Sequence, residues 1–234
     1  MPESTTLKLR IAEIFTSIQG EGVWTGVPST FVRVSGCNLR CIWCDTPYAS
    51  WGPEGPVMPL DQIVEAVKEA NVAHVVLTGG EPMLFDAIEP LAQMLKGSGH
   101  TITIETAGTV YRDIPCDLMS ISPKLANSTP PEGSGWRERH ETTRLNVEAL
   151  QKLIETYYYQ LKFVLTSVND AKDVDHLLSQ LPAVPPGRVL VMAEGVSADV
   201  QSQRQRELVP LCIEKGWRLT PRLHIDLFGN SRGT

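Results

Sequence analysis

Residues 30–44 read Thr-Phe-Val-Arg-Val-Ser-Gly-Cys-Asn-Leu-Arg-Cys-Ile-Trp-Cys, a β-rich run that stops at Gly36 and opens into three cysteines. β-branched and aromatic residues suit a pleated, half-buried surface, so residues 30–35 predict a strand and the glycine its end. Cys37, Cys41 and Cys44 then crowd one loop at that end. Parallel α/β folds carry their chemistry at the carboxyl ends of strands, which makes this loop the first place to look for function.

Similar apolar runs at 73–78, 101–105, 117–121, 160–165, 188–192 and 218–224 predict further strands. Stretches at 60–70, 84–95, 143–157, 170–181 and 198–215 repeat apolar residues at three and four positions and predict helices. Strand and helix in alternation predict an α/β fold with a parallel sheet. The third and fourth strands are joined by a link too short for a crossover helix, and a complete (β/α)8 barrel takes about 250 residues. The expected architecture is therefore a partial (β/α) barrel with reduced helix content, one domain over 1–234. The segment 127–142, rich in Pro, Gly and charge, reads as an exposed excursion, and 182–187 as a turn.

A net charge of -6 and 42% hydrophobic residues describe a soluble globular chain with no basic block for nucleic acid. No apolar stretch reaches membrane-spanning length, and the N-terminal residues lack a secretory pattern, so the expected location is the cytoplasm. Five cysteines, three within eight residues, fit metal ligation in a reducing compartment better than a disulfide framework. Cys116 and Cys212 stand apart.

Three thiolates on one short loop leave a four-iron cluster with one iron open to an outside ligand, whereas electron-transfer clusters generally have four Cys ligands. A structural zinc site would need a fourth ligand, and no His or Cys pair stands elsewhere at the required spacing. Three more segments fall at expected strand ends. Thr78-Gly79-Gly80-Glu81-Pro82 has two glycines that let backbone approach a ligand, while Glu105-Thr106-Ala107-Gly108-Thr109 and Ser122-Pro123-Lys124 offer hydroxyl and ammonium groups.

The Cys-x3-Cys-x2-Cys spacing with Trp43 before the last Cys resembles the radical S-adenosylmethionine superfamily signature, and Gly79-Gly80-Glu81-Pro82 resembles its GGEP motif. The resemblance implies a 4Fe-4S cluster on Cys37, Cys41 and Cys44, with S-adenosylmethionine chelating the open iron. It places Trp43 near the adenine, Gly80 at the methionine amino group and Glu81 as a supporting negative partner. Asp45, Thr106, Ser122, Pro123 and Lys124 complete the cofactor site it implies.

Phe15-Thr-Ser-Ile18-Gln19-Gly20-Glu21-Gly22, Thr25-Gly-Val-Pro28, Phe31-Val-Arg33, Cys44-Asp45-Thr46, Gln160-Leu-Lys-Phe and Arg222-Leu-His224 resemble the 7-carboxy-7-deazaguanine synthase family across the chain. That resemblance implies a carbon-nitrogen lyase that contracts the ring of 6-carboxy-5,6,7,8-tetrahydropterin, losing ammonia, in queuosine biosynthesis. Segment 15–33 would bind substrate. Gln19 and Glu21 have the donors and acceptors to read the pyrimidinone edge, backbone at Ile18 and Gly20 can approach closely, and Arg33 can fork onto the carboxylate. Thr78, His224 and Thr234 are further substrate candidates, and Thr46 is the implied protein ligand of Mg2+, a cation that commonly keeps waters and substrate oxygens in its shell. A homodimer and a flavodoxin or ferredoxin reductant are the implied partners. A small activase acting on a partner protein, or a non-catalytic cluster protein, would share the cysteine triplet but not this pocket.

Overall fold

A computed structural model describes residues 7–234. Among them, nine strands form one sheet in the order β3-β1-β2-β4-β5-β6-β7-β8-β9. The strands are β1 (Lys8–Ile18), β2 (Pro28–Val34), β3 (Val57–Pro59), β4 (His74–Gly79), β5 (Thr101–Thr106), β6 (Leu118–Ile121), β7 (Tyr159–Leu165), β8 (Val189–Ala193) and β9 (Arg218–Leu219). From β2 through β9 every pairing is parallel, while β1 runs antiparallel to both β2 and β3. Among the described residues no pairing joins β3 to β9, so the sheet is an open, partial barrel.

The strands sort their residues by the two-residue period of the pleat. Val75 and Leu77, Ile102 and Ile104, and Leu161, Phe163 and Leu165 belong to the main apolar core. The helices α2 (Leu60–Glu69), α3 (Ile88–Gly97), α5 (Val147–Thr156), α6 (Ala171–Leu178) and α7 (Ala198–Lys215) contribute Ile63, Leu91, Leu153, Val174 and Leu208 to that same core. The alternate residues face inward. Low in the barrel, Ser29 Oγ lies 2.7 Å from His74 Nδ1, and His74 Nε2 lies 2.9 Å from Thr103 Oγ1. Trp24 stacks on His74 at 5.0 Å. Higher up, Thr78, Glu105 and Lys162 border a cavity.

The gap between the barrel's edges is bridged by the β1–β2 connection, residues 19–27. Gly22 N–H donates to Thr220 Oγ1 (2.7 Å), Val23 N–H to Gln160 Oε1 (2.9 Å), and Leu223 N–H to the Gly20 carbonyl (2.9 Å). The connection thus crosses to β7 and to the chain beyond β9.

The expected parallel sheet and its helices are present, with five corrections. The long strand β1 was not anticipated: a register shift between Ile11 and Glu13 breaks its apolar alternation. The expected strand 218–224 ends at Leu219, because Pro221 brings no ladder donor and α8 (Leu223–Phe228) follows. The expected helix 84–95 begins at Ile88 after a tight turn at Pro82–Leu84, and that over 143–157 begins at Val147, where the Asn146 side chain accepts from Ala149 N–H. The excursion 127–142 folds partly into α4 (Arg137–Thr143) and buries His140.

Gly22 has φ +74, and a Cβ there would sit 2.3 Å from Gln160 Nε2. A left-handed backbone costs an L residue roughly 1–2 kcal/mol, and overpacking adds to it. Gly22→Ala is expected to lower stability by at least about 2 kcal/mol, measured by chemical denaturation; an unchanged midpoint and slope would refute this packing.

Candidate active site

A cavity of about 460 Å³ opens at the carboxyl ends of the strands. Cys37, Cys41 and Cys44, from the loop between β2 and α1 (Pro47–Ser50), line one wall. That loop is tightly held. The Arg40 guanidinium donates to the carbonyls of Cys37 (2.8 Å) and Leu39 (2.7 Å) and stacks on Trp136. Arg40 N–H donates to His140 Nδ1 (3.1 Å), Ile42 N–H to the Ser128 carbonyl (2.9 Å), and Trp51 Nε1–H to the Cys41 carbonyl (3.1 Å). The excursion 127–142 is therefore a brace for the cysteine loop, a role that its Pro- and Gly-rich composition concealed.

None of the three cysteines is in a disulfide. Burial pushes Cys37 and Cys41 up to about 12, with nearby carboxylates adding to the effect. A thiol so placed gives up its proton when a cation takes the proton's place. Among the described residues no three His, Cys, Asp or Glu side chains close on a single-ion point. Three thiolates on one loop form the donor set of a multi-iron cluster with one iron open, whereas a structural zinc ion takes four protein ligands.

Gly80, Thr106, Ser122 and Lys124 border the same space. A Cβ on Gly80 would lie 2.2 Å from the Gly36 carbonyl, so glycine there lets the end of β4 close on the start of the cysteine loop. Glu81 lies behind this wall and is fully buried. It accepts from Met83 N–H (3.0 Å), Thr106 Oγ1 (2.7 Å) and Ala107 N–H (2.7 Å), tying the end of β4 to that of β5. Burial raises its pKa against those hydrogen bonds. Lys124 Nζ donates to the Ser122 carbonyl (2.9 Å) and lies 5.7 Å from the Trp43 ring, whose indole N–H donates to the Asn127 carbonyl. Pro123 is not among the lining residues.

The facing wall is polar. Gln19 Nε2 donates to Glu105 Oε1 (3.2 Å) and Thr78 Oγ1 to Glu105 Oε2 (3.1 Å). Lys162 Nζ donates to Glu21 Oε2 (2.5 Å) and lies 3.5 Å from Glu105 Oε1. Arg222 Nε donates to Glu21 Oε1 (3.0 Å), and its far nitrogen reaches Asp45. Burial alone would raise the Glu21 pKa, but Lys162 and Arg222 outweigh it and hold the carboxyl well below the usual range. Burial likewise opposes the charge on Lys162, and Glu105 and Glu21 more than offset it. Burial lowers the His224 pKa, and Gly20 lies against its ring.

Ile18, Gly20, Arg33, Thr46, His224 and Thr234 also reach the cavity. Arg33 is not a free fork: its Nε donates to Glu13 Oε1 at 2.6 Å. Glu105, Lys162, Arg222 and Glu13 also line the cavity, without a role that their sequence segments assign them. A charged residue inside a strand that is buried on both faces was the available signal for Glu105 and Lys162.

Partial barrel and three-cysteine loop together define a radical S-adenosylmethionine protein, and residues 31–158 match the model of the Radical SAM superfamily. The curated 7-carboxy-7-deazaguanine synthase of Halobacterium salinarum is 43% identical, with 97% of this chain and 93% of that protein covered. That of Rhodopirellula baltica is 42% identical, covering 97% and 89%. The crystal structure of QueE from Escherichia coli superimposes with a TM-score of 0.70 at 25% identity, covering 91% of this chain and 93% of that one. The chain belongs to the 7-carboxy-7-deazaguanine synthase family. That membership sets aside the activase and electron-transfer readings. No helix among the described residues is long and apolar enough to cross a membrane.

The buried charges give the fold a defined pH response. The Glu21 pKa is lowered from 4.5, so its stabilising contribution is complete above pH 4.5 and is lost as pH falls toward the folded value. The Lys162 pKa is raised from 10.5, so its contribution is complete below pH 10.5 and is lost as pH rises through the folded value. Removing one partner of a buried pair costs about 3–5 kcal/mol. Lys162→Met is expected to destabilise by about 3 kcal/mol near neutral pH, with the gap to wild type narrowing below pH 4.5; a pH-independent gap in urea titrations would refute the coupling.

Proposed function

We propose that the chain converts 6-carboxy-5,6,7,8-tetrahydropterin to 7-carboxy-7-deazaguanine and ammonia. Product and ammonia together hold every atom of the pterin, so the rearrangement is redox-neutral overall. The observation that carries this reading is a cavity with thiols on one wall and a dense donor and acceptor network on the other. A 4Fe-4S cluster held by Cys37, Cys41 and Cys44, with S-adenosylmethionine bound beside it, would supply radical chemistry for hydrogen abstraction from the pterin.

The chain's residues bind, orient and shield. Cys37, Cys41 and Cys44 hold the cluster. Gly80 backbone, Thr106, Ser122 and Lys124 hold the cofactor's polar groups, Trp43 and Asp45 its nucleoside side, and Glu81 and Pro123 shape the wall from behind. Gln19 and Glu105 present amide and carboxylate to the flat ring, with Ile18 and Gly20 close to its face. Lys162 and Arg222 keep Glu21 ionised as an acceptor in that plane. Arg33, steadied by Glu13 through one nitrogen, retains its other two for the substrate carboxylate. Thr46 would hold Mg2+ beside that carboxylate, and Thr78, His224 and Thr234 complete the enclosure. A flavodoxin or ferredoxin provides the reducing electron, and the working unit is a homodimer.

Anaerobic incubation of cluster-reconstituted protein with this pterin, S-adenosylmethionine and a reductant is expected to give the deazapurine with the cofactor regenerated. An intact cluster that yields no product overturns the assignment. Gln19→Leu removes one ring contact and strands its partners, so KM for the pterin should rise about tenfold or more while iron content is unchanged.

A further inference from the structure

One hydroxyl beside a cysteine sulfur has no role in the account above. Ser50, the last residue of α1, is 3% exposed and its Oγ lies 3.1 Å from Cys44 Sγ. Its other acceptor, the Thr46 carbonyl, is farther away at 3.4 Å. The helix that presents Ser50 is tied to the cysteine loop at two points and closed by its own C-terminal turn. Gly36 N–H donates to the Ala49 carbonyl (2.8 Å), Gly52 N–H to the Pro47 carbonyl (2.9 Å), and the Trp51 indole to the Cys41 carbonyl (3.1 Å).

Between a thiol and a hydroxyl the proton can point either way. An iron-bound thiolate has no proton to give, so ligation leaves Ser50 as the donor. A hydrogen bond to a ligating sulfur draws off electron density and favours the reduced cluster, whose added negative charge it stabilises. Elsewhere on these sulfurs, Leu39 N–H donates to Cys37 Sγ at 3.3 Å. Thr46 Oγ1 stands off at 3.9 Å from Cys44 Sγ.

We propose that Ser50 is a positioning residue that raises the reduction potential of the cluster by donating a hydrogen bond to the Cys44 thiolate. The inference rests on the reading of Cys44 as a cluster ligand. Removing the donor makes the cluster harder to reduce.

The test compares wild type, Ser50→Ala and Ser50→Thr after anaerobic reconstitution. Circular dichroism, iron and sulfide content, and a redox titration followed by electron paramagnetic resonance are measured on each. All three are expected to bind equal iron. At a fixed potential the reduced-to-oxidised ratio of Ser50→Ala should fall about tenfold, a shift of about 59 mV for one electron, while Ser50→Thr stays near wild type. A wild-type midpoint in Ser50→Ala overturns the inference, as does a loss of iron without a shift in the clusters that remain. Should Ser50→Ala not fold, Ser50→Cys, a weaker donor, carries the comparison with a smaller negative shift expected. A wild-type protein that assembles no cluster overturns the underlying reading instead.

Discussion

Glu21, clamped between Lys162 and Arg222, is the interaction on which the molecule turns. A lone carboxylate with a side chain only 14% exposed would be costly, and two cations with well-placed hydrogen bonds remove that cost. Lys162 projects from β7, Arg222 precedes α8, and Glu21 comes from the opposite edge of the sheet. The three therefore draw together parts of the barrel that no strand pairing joins. The closure is electrostatic where a complete barrel would use a ladder of backbone hydrogen bonds. It also sets charged groups next to the space where the chemistry happens.

The cysteine loop is stabilised in a different way. Its backbone has no regular secondary structure from Ser35 to Thr46, so its polar groups need partners elsewhere. Arg40 satisfies two carbonyls from within the loop, and His140, buried on α4, accepts a third group from outside. Ser128 holds the other ring nitrogen of His140 at 3.0 Å. A rigid loop of this kind fixes thiol positions before any metal arrives, which reduces the ordering cost of ligation.

Much of this was legible in the sequence because burial imposes patterns. The strands at 101–106 and 159–165 alternate apolar residues toward helices with polar residues toward the cavity, and the cysteine spacing is a local code. What escaped depends on long-range geometry. Strand β1 was hidden by a bulge that shifts its alternation out of phase. Pro221 turned an expected strand into a corner, and that corner supplies Arg222 to the site. Arg33 stands at the cavity as its place before the cysteine loop suggests, but its partner Glu13 lies across the hairpin on β1, whose alternation the bulge breaks. Nothing in residues 127–142 by themselves reveals that His140 folds back onto a loop a hundred positions earlier.

The 19–27 connection closes the barrel and also forms a wall of the pocket, and this double duty restricts how such a protein can diverge. In most barrel enzymes the loops that choose a substrate are dispensable to the scaffold and drift freely. Here a change at Glu21 exposes Lys162 and Arg222 to each other's charge, and a bulkier residue at Gly22 meets Gln160. New substrate preferences would then arise through concerted replacement of residues at 21, 162 and 222, and descendants should show these positions changing as a set.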